Sequence, residues 1–351
     1  MFYCPCKSSN HTHTTHPQQA ACLTVDIKLK PHSLHCYFIA PTNAEKGIKF
    51  EVCSTRDGRS FCSRTVRAVQ GDSTLMLLLA SFHDATREAR HSHQISPPPA
   101  LHPSQLPSDE QRLLGIMGDT RLPEAYKGVL QGHLRHLGPI DVRHARDSDP
   151  IMPQPECPSQ LVYFKPKLAG SSVEAAAAAA ARGLPELLQQ RAVACSHYVA
   201  AAFASDHMIL ATAALPHTWP NPSISMMASL DHSMWFHGTP DCDAWATYEL
   251  RSERLGFGRG LSFGKVYLQD GTHAISTSQE GLIRFASAAE PHDKHLFPQS
   301  ALWDFDREGQ PVQRKPLGSA TRQVIVLTSD VWGPSDSIAR PRLSADASAK
   351  L

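Results

Sequence analysis

The sequence has no long apolar segment and no excess of charge of either sign. Its longest strongly apolar run extends only from Leu75 to Ala80, far short of the roughly 20 residues that a membrane-spanning helix needs. The 34 lysines and arginines nearly balance the 33 aspartates and glutamates, so no field of one sign exists to hold nucleic acid or an anionic membrane. The polar, histidine-rich start also lacks the apolar core of a secretory signal. We therefore expect no nucleic-acid partner, no membrane span and no secretory route.

Signatures of disulfide frameworks and metal centres are also missing. The nine cysteines are odd in number and irregularly spaced, which indicates reduced thiols rather than structural disulfides. An N-terminal group of cysteines and histidines fits no structural zinc spacing; it comprises Cys4, Cys6, His11, His13 and His16. No H-E-x-x-H stretch occurs. The sequence thus predicts neither a metal site nor a cofactor.

The first half of the chain combines strand-like segments with proline-rich connections. Residues 1–31 show no sustained period and are expected to be disordered or atypical. Alternating segments over 32–82 predict four consecutive antiparallel strands without a helix. Residues 83–158 are polar and proline-rich and form a predicted linker, apart from one short helix. Ser108 and Gln111 have the spacing of a capping box at the start of that helix.

The second half is predicted to contain one strand, one long helix and four further strands. A strand from Leu161 is followed by an insert over 170–186, whose seven consecutive alanines (Ala175–Ala181) indicate a surface insertion. A longer helix is predicted from about Leu187 to Leu215, and four strand-like segments follow. Strand, helix and four strands suit a curled antiparallel sheet around a central helix. We therefore predict a hotdog over 159–285 and a C-terminal extension over 286–351.

Three polar residues lie where the pattern predicts apolar surroundings. Asp206 follows an alanine-rich helix face, and Gln279 shares a strand face with isoleucines. Alternation over 225–236 puts Ser229 on the face of Asp231 and opposite His232. Taken singly, each is more often a satisfied structural group than a functional one. Together, a carboxylate, a hydroxyl and an amide can hold a water that attacks a carbonyl, with the carboxylate as general base.

Several motifs resemble the acyl-CoA thioesterase II family. They are SLDHSMWFH at 229–237, Trp245 and Tyr248 in AWATYEL, and QEGLIR at 279–284. The stretch YVAAAFASDHMILATAALPH is similar to that family's central helix, while HSLHCYFIAP and RDGRSFCSRTVRAVQ are similar to its N-terminal hotdog. The resemblance covers most of 32–82 and 160–285.

The resemblance implies an α+β double-hotdog enzyme that hydrolyses fatty acyl-CoA to fatty acid and CoA. It implies that Asp206, Ser229 and Gln279 orient and activate the water, without a metal, a redox cofactor or an acyl-enzyme. Hotdog sheets commonly pair further, so a homodimer or tetramer is expected. Asp231 and His232 belong to the same signature and are assigned to holding the strand or the hotdog interface.

The start and the end of the chain each carry a separate expectation. The family's first hotdog should begin with a strand and a central helix, and neither is recognisable before His32. An incomplete first hotdog predicts lower stability than that of relatives, and it leaves a catalytically weak acyl-CoA-binding pseudo-enzyme as the alternative. The terminal Ala349-Lys350-Leu351 resembles a peroxisomal address, which implies an import receptor as partner and the peroxisomal matrix as location.

Overall fold

The computed structural model describes the larger part of the chain. The described residues are 17–43, 45–84, 86, 91–99, 102–122, 124–135, 137–146, 156–168, 170–217, 224–285, 303–305 and 311–313. The N-terminal cysteine and histidine group and the tail Ala349-Lys350-Leu351 lie outside these residues. Within the described part of the chain, no helix is long and apolar enough to cross a membrane. The seven cysteines found there are free thiols, as expected.

The N-terminal half contains four strands and one short helix. The elements are α1 (Pro17–Cys22), β1 (Leu29–Phe38), β2 (Lys49–Asp57), β3 (Phe61–Gln70) and β4 (Ser73–Asp84). The four predicted strands are present over 32–82, and α1 with the start of β1 corrects the expectation that the whole of 1–31 is disordered or atypical. Ala21 and Cys22 of α1 are buried against β3 and β4. A six-residue helix is too short to show a 3.6-residue period, so tertiary burial rather than pattern identifies it.

The connection between the halves carries two helices and one strand. They are α2 (Asp109–Gly118), α3 (Glu124–Arg135) and β5 (Ile140–His144). The predicted capping box is confirmed, since Ser108 Oγ accepts from Gln111 N at 3.2 Å and Gln111 Oε1 accepts from Ser108 N at 2.9 Å. Strand β5 was not predicted, because its five residues gain their place by pairing with the next strand of the chain.

The C-terminal half has more helical breaks than its sequence pattern suggests. Its elements are β6 (Ser159–Pro166), α4 (Val173–Ala180), α5 (Glu186–Ala194), α6 (Ser196–Ser205), α7 (Ile209–Thr212), β7 (Ile224–Ser229), β8 (Asp231–Phe236), β9 (Ala246–Gly256), β10 (Arg259–Tyr267) and β11 (His273–Phe285), followed by β12 (Trp303–Phe305) and β13 (Pro311–Gln313). The single helix predicted over 187–215 is therefore three helices. One break lies at Cys195, and the other contains Met208, whose φ of 69° cannot continue a right-handed helix.

Strands β1 to β11 form one continuous antiparallel sheet. Its order is β2-β3-β4-β1-β8-β11-β10-β9-β6-β5, with β7 also paired to β11. The β1–β8 pairing, from Ser33 opposite Trp235 to Tyr37 opposite Asp231, joins the two halves. The path ends at β2 and β5, so the sheet is open. Helices α6 and α7 pack on one face of the sheet, and this arrangement confirms the predicted α+β class.

Candidate active site

The structure brings Asp206, Ser229 and Gln279 together, although they are far apart in sequence. The Gln279 amide nitrogen lies 2.9 Å from Asp206 Oδ1 and 2.6 Å from Ser229 Oγ, and donates a hydrogen bond to each. Gln279 is fully buried and Ser229 nearly so, whereas Asp206 is half-buried. A carboxylate, a hydroxyl and an amide therefore converge at one partly accessible point.

Each of the three residues lies at or beside an interruption of regular structure. Asp206 is the C-terminal cap of α6, not a mid-helix residue as the sequence suggested. Ser229 is the last residue of β7, and β8 starts after a break at Leu230. Gln279 lies on β11, which pairs with both β7 and β8. The end of β7, the middle of β11 and the end of α6 thus meet at one place.

The break at Leu230 corrects the predicted strand faces. Continuous alternation would place Ser229 and His232 on opposite faces, but both are buried on the same face as Gln279. One extra residue between β7 and β8 shifts the alternation by one position, as a bulge does. The ladder is closed across the gap, since Leu230 N donates to Glu280 O at 2.9 Å and Asp231 Oδ1 accepts from Glu280 N at 2.7 Å. Asp231 therefore holds the start of β8 against β11.

Glycines on the sheet let the helical segment approach closely. A Cβ at Gly281 would overlap the Leu210 side chain, and one at Gly260 would lie 2.6 Å from Ala213 Cβ. Any larger residue would push α7 away from β10 and β11. Because α7 follows Asp206 after a short turn, these two glycines help to set the distance between that carboxylate and the sheet.

Asp206 fixes which way the Gln279 amide points, and that orientation determines which nitrogen of His232 carries the proton. An ionised carboxylate can only accept hydrogen bonds, so the amide atom facing Asp206 must be nitrogen. The amide oxygen then faces His232 Nδ1 at 2.7 Å, and that nitrogen must carry the proton. Burial lowers the pKa of His232 despite the opposing charge of Asp206 and the Gln279 bond. The neutral ring therefore accepts from Ser205 Oγ through Nε2 at 2.9 Å.

The polar network extends behind the three residues. Ser205 is fully buried, and its carbonyl accepts from the Tyr248 hydroxyl at 2.9 Å. That hydroxyl also lies 2.9 Å from Thr277 Oγ1, and burial raises the pKa of Tyr248 far above its ordinary value. Sequence reasoning missed Ser205 and Thr277. The available signal was a hydroxyl at each otherwise apolar, inward position.

Two serines have features of nucleophiles, but the structure argues against that role for both. Ser205 and His232 form a hydrogen-bonded pair, yet Ser205 is fully buried and the other histidine nitrogen faces an amide, not a carboxylate. Ser262 lies in the stretch GLSFG, a G-x-S-x-G pattern that sequence reasoning passed over. That stretch lies inside β10 rather than at a strand-to-helix turn, and Ser262 is also fully buried. The accessible chemistry therefore centres on Asp206.

The charge of Asp206 also reaches strand β1. Burial raises the pKa of the Cys36 thiol to about 12, and the negative charge of Asp206 adds to that increase. Cys36 is therefore a neutral thiol at physiological pH and no nucleophile. Cys36 lies opposite His232 in the β1–β8 ladder, so the N-terminal half of the sheet lies beside the three converging residues.

Known proteins that are similar to this chain are acyl-CoA thioesterases. The profile of a family described as acyl-CoA thioesterase matches residues 156–282, and one described as acyl-CoA thioesterase N-terminal domain matches residues 15–83. Human acyl-coenzyme A thioesterase 8 is 34% identical over 265 residues, which cover 76% of each chain. Peroxisomal acyl-coenzyme A thioester hydrolase 1 of Saccharomyces cerevisiae is 26% identical, over 75% of this chain and 82% of its own. The crystal structure of an acyl-CoA thioesterase II from Mycobacterium marinum superposes with a TM-score of 0.55 at 30% identity, covering 77% of this chain and 88% of that one.

Proposed function

The chain belongs to the acyl-CoA thioesterase family, and we propose that it hydrolyses fatty acyl-CoA through a water held by Asp206, Ser229 and Gln279. Members of the family are hydrolases that act on thioesters, and this chain is such an enzyme. The assignment of the three residues rests on their convergence. In particular, one amide nitrogen is shared between a carboxylate oxygen at 2.9 Å and a hydroxyl oxygen at 2.6 Å.

In the proposed reaction, Asp206 is the general base. It accepts a proton from the water as the water oxygen forms a bond to the thioester carbonyl carbon. The carbon–sulfur bond then breaks, the electron pair leaves on sulfur, and the proton passes to the thiolate. The products are a fatty acid and CoA, and no bond to the protein forms. Ser229 and Gln279 orient the water for its attack. This orientation lowers the reaction barrier most when the orienting groups are already held in place.

The substitution Asp206→Asn tests this assignment. The asparagine amide retains an oxygen that accepts from Gln279 but cannot take the proton, so kcat should fall about 10²- to 10⁴-fold with little change in KM. Asp119→Asn is the matched control, because Asp119 is half-buried and its carboxylate is paired with Arg121 in the connection between the halves. We expect the control to keep full activity. Hydrolysis of palmitoyl-CoA by the full chain, followed by release of free thiol, measures both variants.

The outcomes separate the proposal from its alternative. Turnover that survives Asp206→Asn would overturn the base assignment. A parent chain that binds acyl-CoA without turnover would favour the pseudo-enzyme, which the absence of a recognisable central helix before His32 in the sequence motivates. Ordinary turnover lost only in Asp206→Asn supports the enzyme with this base.

We further propose a peroxisomal matrix location, with Ala349-Lys350-Leu351 as the segment read by an import receptor. The yeast relative is named as peroxisomal, and a lipid substrate suits that compartment. A fluorescent protein fused in front of the intact C-terminus should accumulate in peroxisomes, whereas the same fusion without the last three residues should not. Import of both fusions alike would refute the proposal.

A homodimer or tetramer is proposed from the outward face of the sheet. Tyr37 lies opposite Leu77 in the β1–β4 ladder, and Leu79 follows two residues along on the same face. All three side chains are more than 40% exposed, and such adjacent apolar exposure is typical of an association surface. Light scattering of the purified chain measures the mass, and replacing Leu77 and Leu79 by lysine should shift it to that of the monomer.

A further inference from the structure

The hairpin between β9 and β10 carries an aromatic side chain that is almost fully in water. Phe257 is 88% exposed, more than any other large apolar side chain among the described residues. Strand β9 ends at Gly256 and β10 begins at Arg259, and these two residues pair, so the loop consists of Phe257 and Gly258 alone. The ring of Phe257 therefore gains almost no stability from burial within the chain.

The backbone of Phe257 has a conformation that phenylalanine disfavours. Its φ is 52°, and that of Gly258 is 73°. Positive φ at both central residues of a hairpin is typical of a type I′ turn, in which asparagine followed by glycine is preferred. Gly258 suits its position, whereas a residue with a Cβ and a large side chain is strained at the first position. Neither the turn nor the core accounts for an aromatic residue here, and this combination indicates a contact outside the chain.

The neighbouring strand and the core fix the position of this tip. Ile283 N of β11 donates to Gly258 O at 2.8 Å. Leu255, two residues before Phe257, packs against the buried cluster that contains Ile283. Because both sides of the turn are held, the ring of Phe257 is presented outward on a firmly attached hairpin.

The charges around the tip are unbalanced, although those of the whole chain are balanced. Residues 251–259 and 280–284 contain four arginines and two glutamates. Each glutamate is paired with one of the arginines. The other two arginines, Arg254 and Arg284, are exposed and have no carboxylate partner among the described residues. A Cβ at Gly256 would lie 3.5 Å from Arg254 Nε, so this cation lies beside the turn. The overall balance, which predicted no attraction to an anionic membrane, does not describe this end of the sheet.

An anionic lipid surface fits this end of the sheet better than a protein partner does. Specific protein interfaces bury about 1,200–2,000 Å², which a convex tip of two residues cannot supply. Lipid headgroups accommodate such a protrusion, and apolar anchors beside arginines are typical of segments that bind at the headgroup level. Met226 is a second apolar side chain at this end, because it lies opposite Arg284 in the β7–β11 ladder and is 45% exposed.

We propose that the β9–β10 tip docks on an anionic lipid surface, with Phe257 inserted among the headgroups and Arg254 and Arg284 against their phosphates. Ser262 lies opposite Gln279 in the β10–β11 ladder, and Arg259 is three residues nearer the tip. The candidate active site therefore lies about 10 Å along the strand from the start of the hairpin. Access of a membrane-held acyl chain to that site rests on the proposed function, whereas the docking itself does not.

The substitution Phe257→Asn tests the anchor without weakening the fold. Asparagine is preferred at this turn position, so the melting temperature should stay the same or rise. Flotation of the full chain with vesicles of equal parts phosphatidylcholine and phosphatidylglycerol measures binding, and the affinity for lipid should fall about tenfold or more. Ile95→Asn is the matched control, because Ile95 is 64% exposed in the connection between the halves. This control should bind vesicles like the parent.

The arginines are tested by charge reversal and by the lipid itself. The double variant Arg254→Glu, Arg284→Glu should bind the mixed vesicles about tenfold or more weakly than the parent. Vesicles of phosphatidylcholine alone should bind the parent about tenfold or more weakly than the mixed vesicles do, because they lack net negative charge.

The remaining outcomes would overturn the proposal. One is that the parent does not float with the mixed vesicles, and another is that Phe257→Asn floats equally well. Equal binding of the parent to neutral and mixed vesicles would refute the choice of an anionic surface. A parent that ignores vesicles but has a larger mass than Phe257→Asn by light scattering would assign the tip to contact between two copies of the chain. No readout requires turnover, so failure of the proposed function is measured separately.

Discussion

The oxygen of the Gln279 amide is held by the Nδ1 of His232, and the position of the amide beside Asp206 should depend on that donor. Two replacements separate the two ring nitrogens. The asparagine amide nitrogen in His232→Asn occupies the position of Nδ1 and can still donate to Gln279 Oε1. The amide of His232→Gln is one atom longer, so it reaches towards Ser205 like Nε2 and leaves the Gln279 oxygen without its donor. We expect kcat to depend on the contact between residue 232 and Gln279, and not on its contact with Ser205.

The size of the effect comes from the burial of Gln279. Its side chain is fully buried and its oxygen accepts from His232 at 2.7 Å, so loss of that donor leaves an unsatisfied carbonyl. Such a group costs about 1–3 kcal/mol, and Gln279 regains a partner only by shifting its amide, which weakens its bonds to Asp206 and Ser229. If that cost is the energy that holds the amide in place, its loss corresponds to a decrease in kcat of about 5- to 150-fold.

Steady-state hydrolysis of lauroyl-CoA by both variants provides the assay. His232→Asn should keep kcat within about threefold of the parent, while His232→Gln should show the larger decrease with KM nearly unchanged. Thermal unfolding of both variants serves as the folding control, because each loses one buried contact and should be destabilised similarly. Equal kcat values, or a lower kcat in His232→Asn than in His232→Gln, would refute the reasoning.

Two further predictions concern packing and pH. Gly281→Ala should lower the free energy of unfolding by about 1–3 kcal/mol and also reduce kcat, because the new Cβ overlaps Leu210. Gly115→Ala on α2 is the control, because its Cβ meets nothing within 4 Å, and it should be neutral or stabilising. Calorimetry of the two variants measures the difference in stability. Burial lowers the pKa of His232 and His207 below 6.5, so below that pH the unfolded chain binds more protons than the native chain and stability should fall. A melting temperature that is unchanged or higher at pH 5.5 than at pH 7.5 would contradict this.

Local sequence patterns identified most of the strands and singled out the three residues of the candidate site. The inward positions of β11 are buried in the predicted alternation, including Thr277 and Gln279. The capping box of α2 was also readable, because Ser108 and Gln111 are three residues apart. These features depend on neighbours in the chain, so a period of two or a fixed spacing reveals them. The catalytic role of Asp206, Ser229 and Gln279 stays a prediction.

Features that depend on distant residues were missed or misplaced. Helix α1 and strand β5 are short elements that gain their stability from burial and pairing with other parts of the chain. The alanine tract has high helix propensity, but the sequence could not show that one of its faces would border a cavity. Burial of this kind depends on which segment packs against the helix, and the sequence pattern within the helix does not show that.

By itself, the sequence determined that this is an α+β protein of antiparallel strands with a carboxylate, a hydroxyl and an amide at unusual places. Only the tertiary structure decided that Ser229 and His232 face the same way, since the break at Leu230 shifts the strand by one residue. It also decided that Asp206 comes within 2.9 Å of Gln279. The physical reason is that this distance results from long-range packing, in which the bare backbone of Gly281 lets α7 lie close to the sheet.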